Sequence, residues 1–328
     1  MKRALITGIG GQDGSFLAEL LLDAGYTVSG LVRPGAPGYE NLAAIEERIE
    51  LHEADLLNQT SLAQALRAAR PAEVYNLAAP SFVPASWEEP VHTAEFAAVG
   101  ATSLLEAIRV VDPSIRFYQA SSSEIFGDPS ESPQTETTPL APLTPYGVAK
   151  AYAHFSARSY RHRYGLYACS GILYNHESPR RPLRFLPRKV SHGVAAISLG
   201  LEHELVLGDL DATRDWGYAG DYVRAMWLML QQDAPDDYIV ASGQPHSVRE
   251  LVQCAFAYVG LDWQEYVRVD QGLERGTAEL HGLVGDPAKA CSQLGWSADV
   301  DFTELVHLLV DADLERLRAG ETATSMER

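Results

Sequence analysis

The stretch Thr7-Gly8-Ile9-Gly10-Gly11-Gln12-Asp13-Gly14 constrains this chain more than any other. It follows a short apolar run, RALIT at 3–7. It leads into SFLAELLLDAGY, whose apolar residues recur at helical spacing and stop at Gly25. Gly8, Gly11 and Gly14 stand three apart between that strand and that helix. Glycines there allow a tight turn and let the backbone approach a pyrophosphate at the positive end of the helix. Three glycines alone would serve a plain turn equally well. The strand–loop–helix setting favours a dinucleotide, and Gln12 and Asp13, which open the helix, border its site.

The pattern repeats downstream. TVSGLVR (27–33), ELHEAD (50–55), EVYNLAA (73–79) and IRFYQA (115–120) read as strands. SLAQALRAAR (61–70) and a long segment near 91–110 read as helices. Strands alternating with helices over about 150 residues predict an α/β chain with a Rossmann-type doubly wound parallel sheet. After about residue 175 the alternation loosens. The reading is a dinucleotide-binding domain over 1–174 and a smaller C-terminal α/β substrate lobe over 175–328, interleaved with returns to the sheet around 210–232.

Charge and cysteines narrow the function. A net charge of −18 argues against a nucleic-acid partner, which calls for a basic face. No apolar run reaches the roughly 20 residues of a membrane span. The N-terminal segment lacks the long apolar core of a signal peptide. Cys169, Cys254 and Cys291 are widely spaced and form no CxxC pair. They predict neither a disulfide frame nor a metal site, and they suit the cytoplasm.

The second strand ends at Arg33 rather than at an acid. An acid would hold the ribose hydroxyls of NAD, whereas an arginine suits the 2′-phosphate of NADP. NADP is the expectation, with NAD as the alternative. Asp55, ending the third strand, either contacts the adenine edge or caps the next turn.

LTPYGVAK (143–150) opens another helix, capped by Thr144 with Pro145 in its first turn. Tyr146 and Lys150 then share one face. An ammonium beside a phenol favours the phenolate, lowering the tyrosine pKa and supplying a base. Upstream, ASSSEIFG (120–127) puts three hydroxyls and a carboxylate, Glu124, at the end of the fifth strand. Between 180 and 189, Arg180, Arg181, Arg184, Arg188 and Lys189 crowd together. That cluster reads as a diphosphate clamp or as a solvated basic loop.

Taken with RFYQASSSEIFG, TPYGVAKAYA, GILYNHESPRR, LDATRDWG and GDPAKACSQLGW, the chain resembles the extended short-chain dehydrogenase/reductase family, and within it the GDP-mannose 4,6-dehydratases. The resemblance implies an NADP-dependent lyase acting on a GDP-sugar. Tyr146 would take the C4 hydroxyl proton with Lys150 beside it. Ser122, where the family usually has threonine, would hydrogen-bond the sugar O4. Glu124 would remove the C5 proton and protonate the departing C6 hydroxyl. The resemblance adds Leu56, Leu77 and Ala78 to the cofactor contacts. It makes Ser81, Ser123, Asn175, Arg180, Lys189 and Arg214 substrate contacts, with Arg275 and Glu279 toward the nucleoside. Those last two stand four apart, where the family has three. The loop after Arg33 is shorter than the family's. A homodimer through the Tyr146 helix and the helix near 91–110 is the expectation, and a tetramer is left open. The alternatives are a reductase, oxidase or epimerase at C4 of a related GDP-sugar such as a heptose, or a nucleotide-sensing protein without catalysis.

Overall fold

Ala4, Leu5, Ile6 and Thr7 are all buried. Four consecutive buried residues mark a strand covered on both faces, as in a parallel sheet between helices. The computed structural model describes residues 2–35, 39–270, 272 and 282–320. The first half runs β1 (Arg3–Thr7), α1 (Gln12–Asp23), β2 (Thr27–Val32), β3 (Ile49–Glu53), α2 (Gln59–Ala69), β4 (Glu73–Asn76), α3 (Ala85–Glu88), α4 (Pro90–Ala94), a π-helical turn (Glu95–Val99), α5 (Gly100–Val111), β5 (Arg116–Ala120), α6 (Pro145–Tyr164) and β6 (Ala168–Leu173). The second half runs β7 (Asn175–Glu177), α7 (Leu186–Ser198), β8 (Leu205–Leu207), β9 (Thr213–Tyr218), α8 (Ala219–Met229), β10 (Asp237–Val240), β11 (Pro245–Ser247), α9 (Val248–Tyr258), β12 (Val267–Val269) and α10 (Phe302–Arg318).

Seven strands form one parallel sheet in the order β10-β6-β5-β4-β1-β2-β3. The order reverses beside β1, and such a switch point opens a crevice at the strands' carboxyl ends. Alternate residues of each strand feed opposite cores. Ala4, Ile6, Tyr75 and Tyr118 pack with Leu17 and Leu21 of α1 and with Val223, Met226 and Met229 of α8. Leu5, Val74 and Phe117 pack with Leu62 and Leu66 of α2 and with Leu104, Leu105 and Ile108 of α5. The helix expected near 91–110 is two helices joined by the π turn.

The later half leaves and rejoins this sheet. β9 lies between β7 and β11 in a three-stranded sheet, and β12 pairs with β8. Then α8 and β10 return to the main sheet. α7, α9 and α10 build a separate core around Val194, Trp216, Val252, Phe256 and Leu309. Inside it Arg188 on α7 meets Asp313 on α10 at 2.5 Å, with exposures of 2% and 0%. Ser191 donates to the same carboxylate. The Arg188 guanidinium also donates to the carbonyls of Pro179 and Arg181.

This pair fastens the segment after β7 to the lobe's core. Asp313→Ala would leave the Arg188 charge buried without its counter-ion, a loss of about 3–5 kcal/mol by comparison with broken buried pairs. Urea unfolding of the variant should show that drop, and an unchanged midpoint would contradict it.

Candidate functional site

The glycine loop meets the start of α1 at the switch point. Gly8 has φ +70°, a conformation glycine adopts freely. A Cβ on Gly14 would lie 2.6 Å from Ile9 Cα, closer than a real contact allows. The loop closes through the Gly11 amide donating to the Gly8 carbonyl at 3.0 Å. Gly11 is the N-cap of α1 and supplies no side-chain cap. The first-turn amides therefore have no capping side chain and suit an anion. They open on a groove of about 400 Å³.

Gly8, Gly11, Gln12, Asp13, Gly14, Arg33, Leu56, Leu77 and Ala78 all line this groove, and so does Ser81. Asp55 does not. Its carboxylate accepts the Leu57 amide at 2.9 Å and caps the turn after β3. Arg33 is exposed at the end of β2 and has no ion pair or hydrogen bond with any described residue. Arg181, His92, Phe96 and Tyr39 also line the groove. None of these four was singled out as a site residue from the sequence. Arg181 was visible only as one of five clustered cations, and the other three match no motif.

A carboxylate at Asp13, beside a pyrophosphate site, needs neutralising. His176 on β7 does this. Its Nε2 lies 2.9 Å from Asp13 Oδ2 and its Nδ1 2.7 Å from the Tyr174 carbonyl. Both ring nitrogens face acceptors, so both donate and the ring is an imidazolium. Burial opposes the charge on each partner, yet the pairing prevails. Asp13 is held down at about 2, and His176 is raised above its usual value. Tyr222 stacks on the imidazole at 4.7 Å.

Ser122, Glu124, Tyr146 and Lys150 sit after β5 and at the start of α6, outside the groove's lining. Ser122 and Ser123 are buried. The Ser122 hydroxyl accepts the Glu124 amide at 3.3 Å and lies beside the Tyr146 phenol, where it pulls the pKa down. Thr144 accepts the Gly147 amide at 2.9 Å, capping α6, and donates to Glu124 Oε2 at 3.2 Å. Glu124 is thereby held over the start of α6, whose first turn carries Tyr146. Any side chain at Gly147 would press on the Glu124 carbonyl, 2.6 Å from a Cβ. The Lys150 ammonium is 5.6 Å from the centre of the Tyr146 ring and donates to the Ala120 carbonyl at 2.9 Å.

The expected low tyrosine pKa is absent. Burial pushes Tyr146 up to about 12, against the opposing pull of Ser122 and Arg181, with Glu124 and Asp13 raising it further. Burial likewise takes Lys150 down to about 8. Both groups have lost water, and desolvation disfavours the charged form of each. The sequence showed their spacing on the helix but not their depth.

The five clustered cations separate. Arg180 donates to Ser15 and Glu19 and lies 4.0 Å over Phe16, so its guanidinium is engaged by α1. Arg184 rests against Phe82 and Phe185. Arg188 is the buried partner of Asp313. Lys189 is exposed, without a described partner. Arg181 alone reaches the groove, stacked at 3.8 Å on Phe185, its Nε 3.4 Å from the buried Glu177. A single five-membered clamp is therefore not formed. Asn175 is half-buried on β7, and Arg214 on β9 donates to the Thr213 carbonyl at 2.7 Å. Arg275 and Glu279 lie outside the described residues. Among the described residues no group of His, Cys, Asp and Glu could hold a metal ion.

Burial of Lys150 has a measurable consequence. Its native pKa, about 8, lies below the unfolded value near 10.5. The unfolded chain therefore binds more protons between these values, and stability rises with pH across that window. At about 1.4 kcal/mol per unit the gain is roughly 2–3 kcal/mol. The difference between wild type and Lys150→Met in urea unfolding from pH 8 to 10.5 should show this rise, and parallel curves would refute it.

The family model described as GDP-mannose 4,6 dehydratase matches residues 5–309. GDP-mannose 4,6 dehydratase 2 of Arabidopsis thaliana is 48% identical over 96% of this chain and 87% of its own length. Among solved structures, the UDP-glucose 4-epimerase of Thermus thermophilus in complex with NAD is 28% identical, with a TM-score of 0.82 over 95% of this chain and 98% of that one. RMD from Pseudomonas aeruginosa, complexed with NADPH, shares the fold at 23% identity, with a TM-score of 0.81 over 96% of this chain and 100% of that one.

Proposed function

This chain belongs to the GDP-mannose 4,6-dehydratase family, and on that basis we propose how its own residues carry the reaction. The activity is that of a hydro-lyase, in which GDP-mannose loses water across C5 and C6 and becomes GDP-4-keto-6-deoxymannose. When bound, a nicotinamide dinucleotide supplies a reversible hydride acceptor for the sugar and, in its oxidised form, a positive charge. The groove suits its pyrophosphate through the uncapped start of α1 and the Asp13–His176 pair. We assign NADP, because the unpaired Arg33 offers a guanidinium to a 2′-phosphate.

To take the C4 hydroxyl proton, Tyr146 must first give up its own to solvent. The Lys150 ammonium and the positive charge that a bound oxidised dinucleotide would add both favour that phenolate. Ser122 would fix the sugar O4 through its hydroxyl. Lys150 anchors the pair to the Ala120 carbonyl. A ketone at C4 acidifies the hydrogen at C5. Glu124 takes that proton, and the C5–H electrons form the C5–C6 double bond as the C6 hydroxyl departs. The same carboxyl protonates that hydroxyl, so water leaves and Glu124 returns to its ionised state. The 4-keto-5,6-ene left behind would become the named product on return of the C4 hydride to C6 and of a proton to C5. The observation that carries this reading is the Thr144–Glu124 bond at 3.2 Å. It holds a second base, a carboxylate, over the helix start that carries Tyr146, and a simple C4 oxidoreductase has no use for one.

Ser81, Ser123, Asn175, Lys189 and Arg214 are the proposed sugar and diphosphate contacts, and Arg275 and Glu279 the nucleoside contacts. Arg180 is left out because its guanidinium is occupied. We keep the division at 174/175, with the substrate between the lobes. The three free cysteines suit a reducing cytoplasm. No described helix is long and apolar enough to cross a membrane.

Glu124→Gln should keep the C4 step and lose elimination by roughly 10²–10⁴-fold, the worth of a positioned general acid–base. Mass spectrometry of GDP-mannose incubations should show water loss in wild type and almost none in the variant, together with lost deuterium uptake at C5. Water release at the wild-type rate would make the carboxylate a mere cap residue. A two-hydrogen mass change in wild type would favour the C4 oxidoreductase instead.

We further propose a homodimer. Val91 on α4, Val99 on the π turn, and Val148, Tyr152 and Phe155 on α6 are half or more exposed, and an apolar surface of this kind marks an interface. Phe155→Asp should convert a dimer to a monomer in sedimentation velocity. A wild-type monomer at micromolar concentration would count against the proposal.

A further inference from the structure

Gly10 is not one of the three spaced glycines, and its φ is not positive. Neither the turn nor a left-handed backbone requires it. Tyr39 does. A Cβ at residue 10 would lie 2.7 Å from Tyr39 Cε1, and nearer still to Cδ1 and Cγ. The phenol ring lies flat on the one glycine-loop residue whose missing side chain makes room for it.

This contact is pinned from both sides. Asn41 Nδ2 donates to the Gly10 carbonyl at 3.1 Å. The Leu42 amide donates to the Tyr39 carbonyl at 3.0 Å. Leu42 and Ile45 are buried in the core beneath α1. Tyr39 is thus fixed to the loop floor. It lines the main groove together with Arg33, and it also lines a second cavity beside Arg180 and Arg316. The ring is one of the walls that the two share.

The end of β2 is where a Rossmann fold meets the adenosine ribose. There the groove has a cation, Arg33, and an aromatic wall, Tyr39. We infer that Tyr39 is a binding residue for the adenosine ribose of the dinucleotide. Its ring closes the groove beside β2 and keeps the ribose 2′ position facing Arg33. This rests on the reading of the groove as a nicotinamide dinucleotide site, and it adds a residue to that site which no glycine or arginine motif contains.

The test is calorimetric titration of the full chain with NADP and with NAD. Tyr39→Ala should weaken both by about tenfold, the scale of one lost aromatic packing contact. Tyr39→Phe, which keeps the ring, should stay within about twofold on the same scale. Gly10→Ala should displace the ring and match Tyr39→Ala. The double variant should bind no more weakly than either single one, since both changes remove one contact. Thermal unfolding of each variant separates lost affinity from lost fold. Wild-type affinity in Tyr39→Ala, or additive losses in the double variant, would overturn the inference. Arg33→Gln decides the 2′-phosphate separately. A wild type that binds NAD as well as NADP, with Arg33→Gln unchanged, removes the NADP assignment while the cycle still decides Tyr39. Failure of wild type to bind either dinucleotide overturns both.

Discussion

A line of buried polar groups crosses the three central strands, and the site is hung from it. The Thr7 hydroxyl donates to Asn76 Oδ1 at 2.8 Å, Asn76 Nδ2 to Gln119 Oε1 at 2.8 Å, and Gln119 Nε2 to the Ala120 carbonyl at 2.9 Å. Lys150 donates to that same carbonyl. The Thr7 hydroxyl also accepts the amides of Leu77 and Ala78. Each group would cost about 1–3 kcal/mol if left unpaired in so dry a place. Because each is paired, β1, β4 and β5 are locked in register at their carboxyl ends. The glycine loop, the loop after β4 and the reactive lysine then share one rigid frame.

Charge is handled in the same pairwise way where the second half of the chain meets the first. Asp13 takes His176, Glu177 faces Arg181, and Arg188 takes Asp313. His176, Glu177 and Arg181 lie within six residues, and Arg188 holds two carbonyls of the same stretch. A chain of net charge −18 repels anions at long range. This stretch offsets that field locally by neutralising the acids nearest the groove and turning one guanidinium, Arg181, into it.

The sequence carried the first half of the fold because strands buried on both faces leave consecutive apolar residues, as in ALI of β1, VY of β4 and FY of β5, at regular intervals between helical segments. It carried Ser122, Glu124, Tyr146 and Lys150 because their spacing along one strand end and one helix face is itself the arrangement. The separation of the five cations was not legible. Which arginine meets Glu19, Asp313 or the groove depends on partners more than a hundred residues away. The depth of Tyr146 was hidden for the same reason, since a helix face shows which residues point together but not what covers them. Tyr39 carried no signal beyond an extra glycine at position 10, whose purpose appears only when the two are seen in contact.

Burial of Tyr146 and Lys150 sets the character of their pocket. A phenol near 12 and an ammonium near 8 are poor partners in water, but the dry pocket that shifts them also strengthens every dipole aimed at the sugar. Ser122 borders both bases. Its hydroxyl accepts the Glu124 amide and pulls the Tyr146 pKa down. A threonine methyl would add neither a donor nor an acceptor there. What the position supplies is a hydroxyl held at the end of β5, rather than the bulk of the residue that carries it.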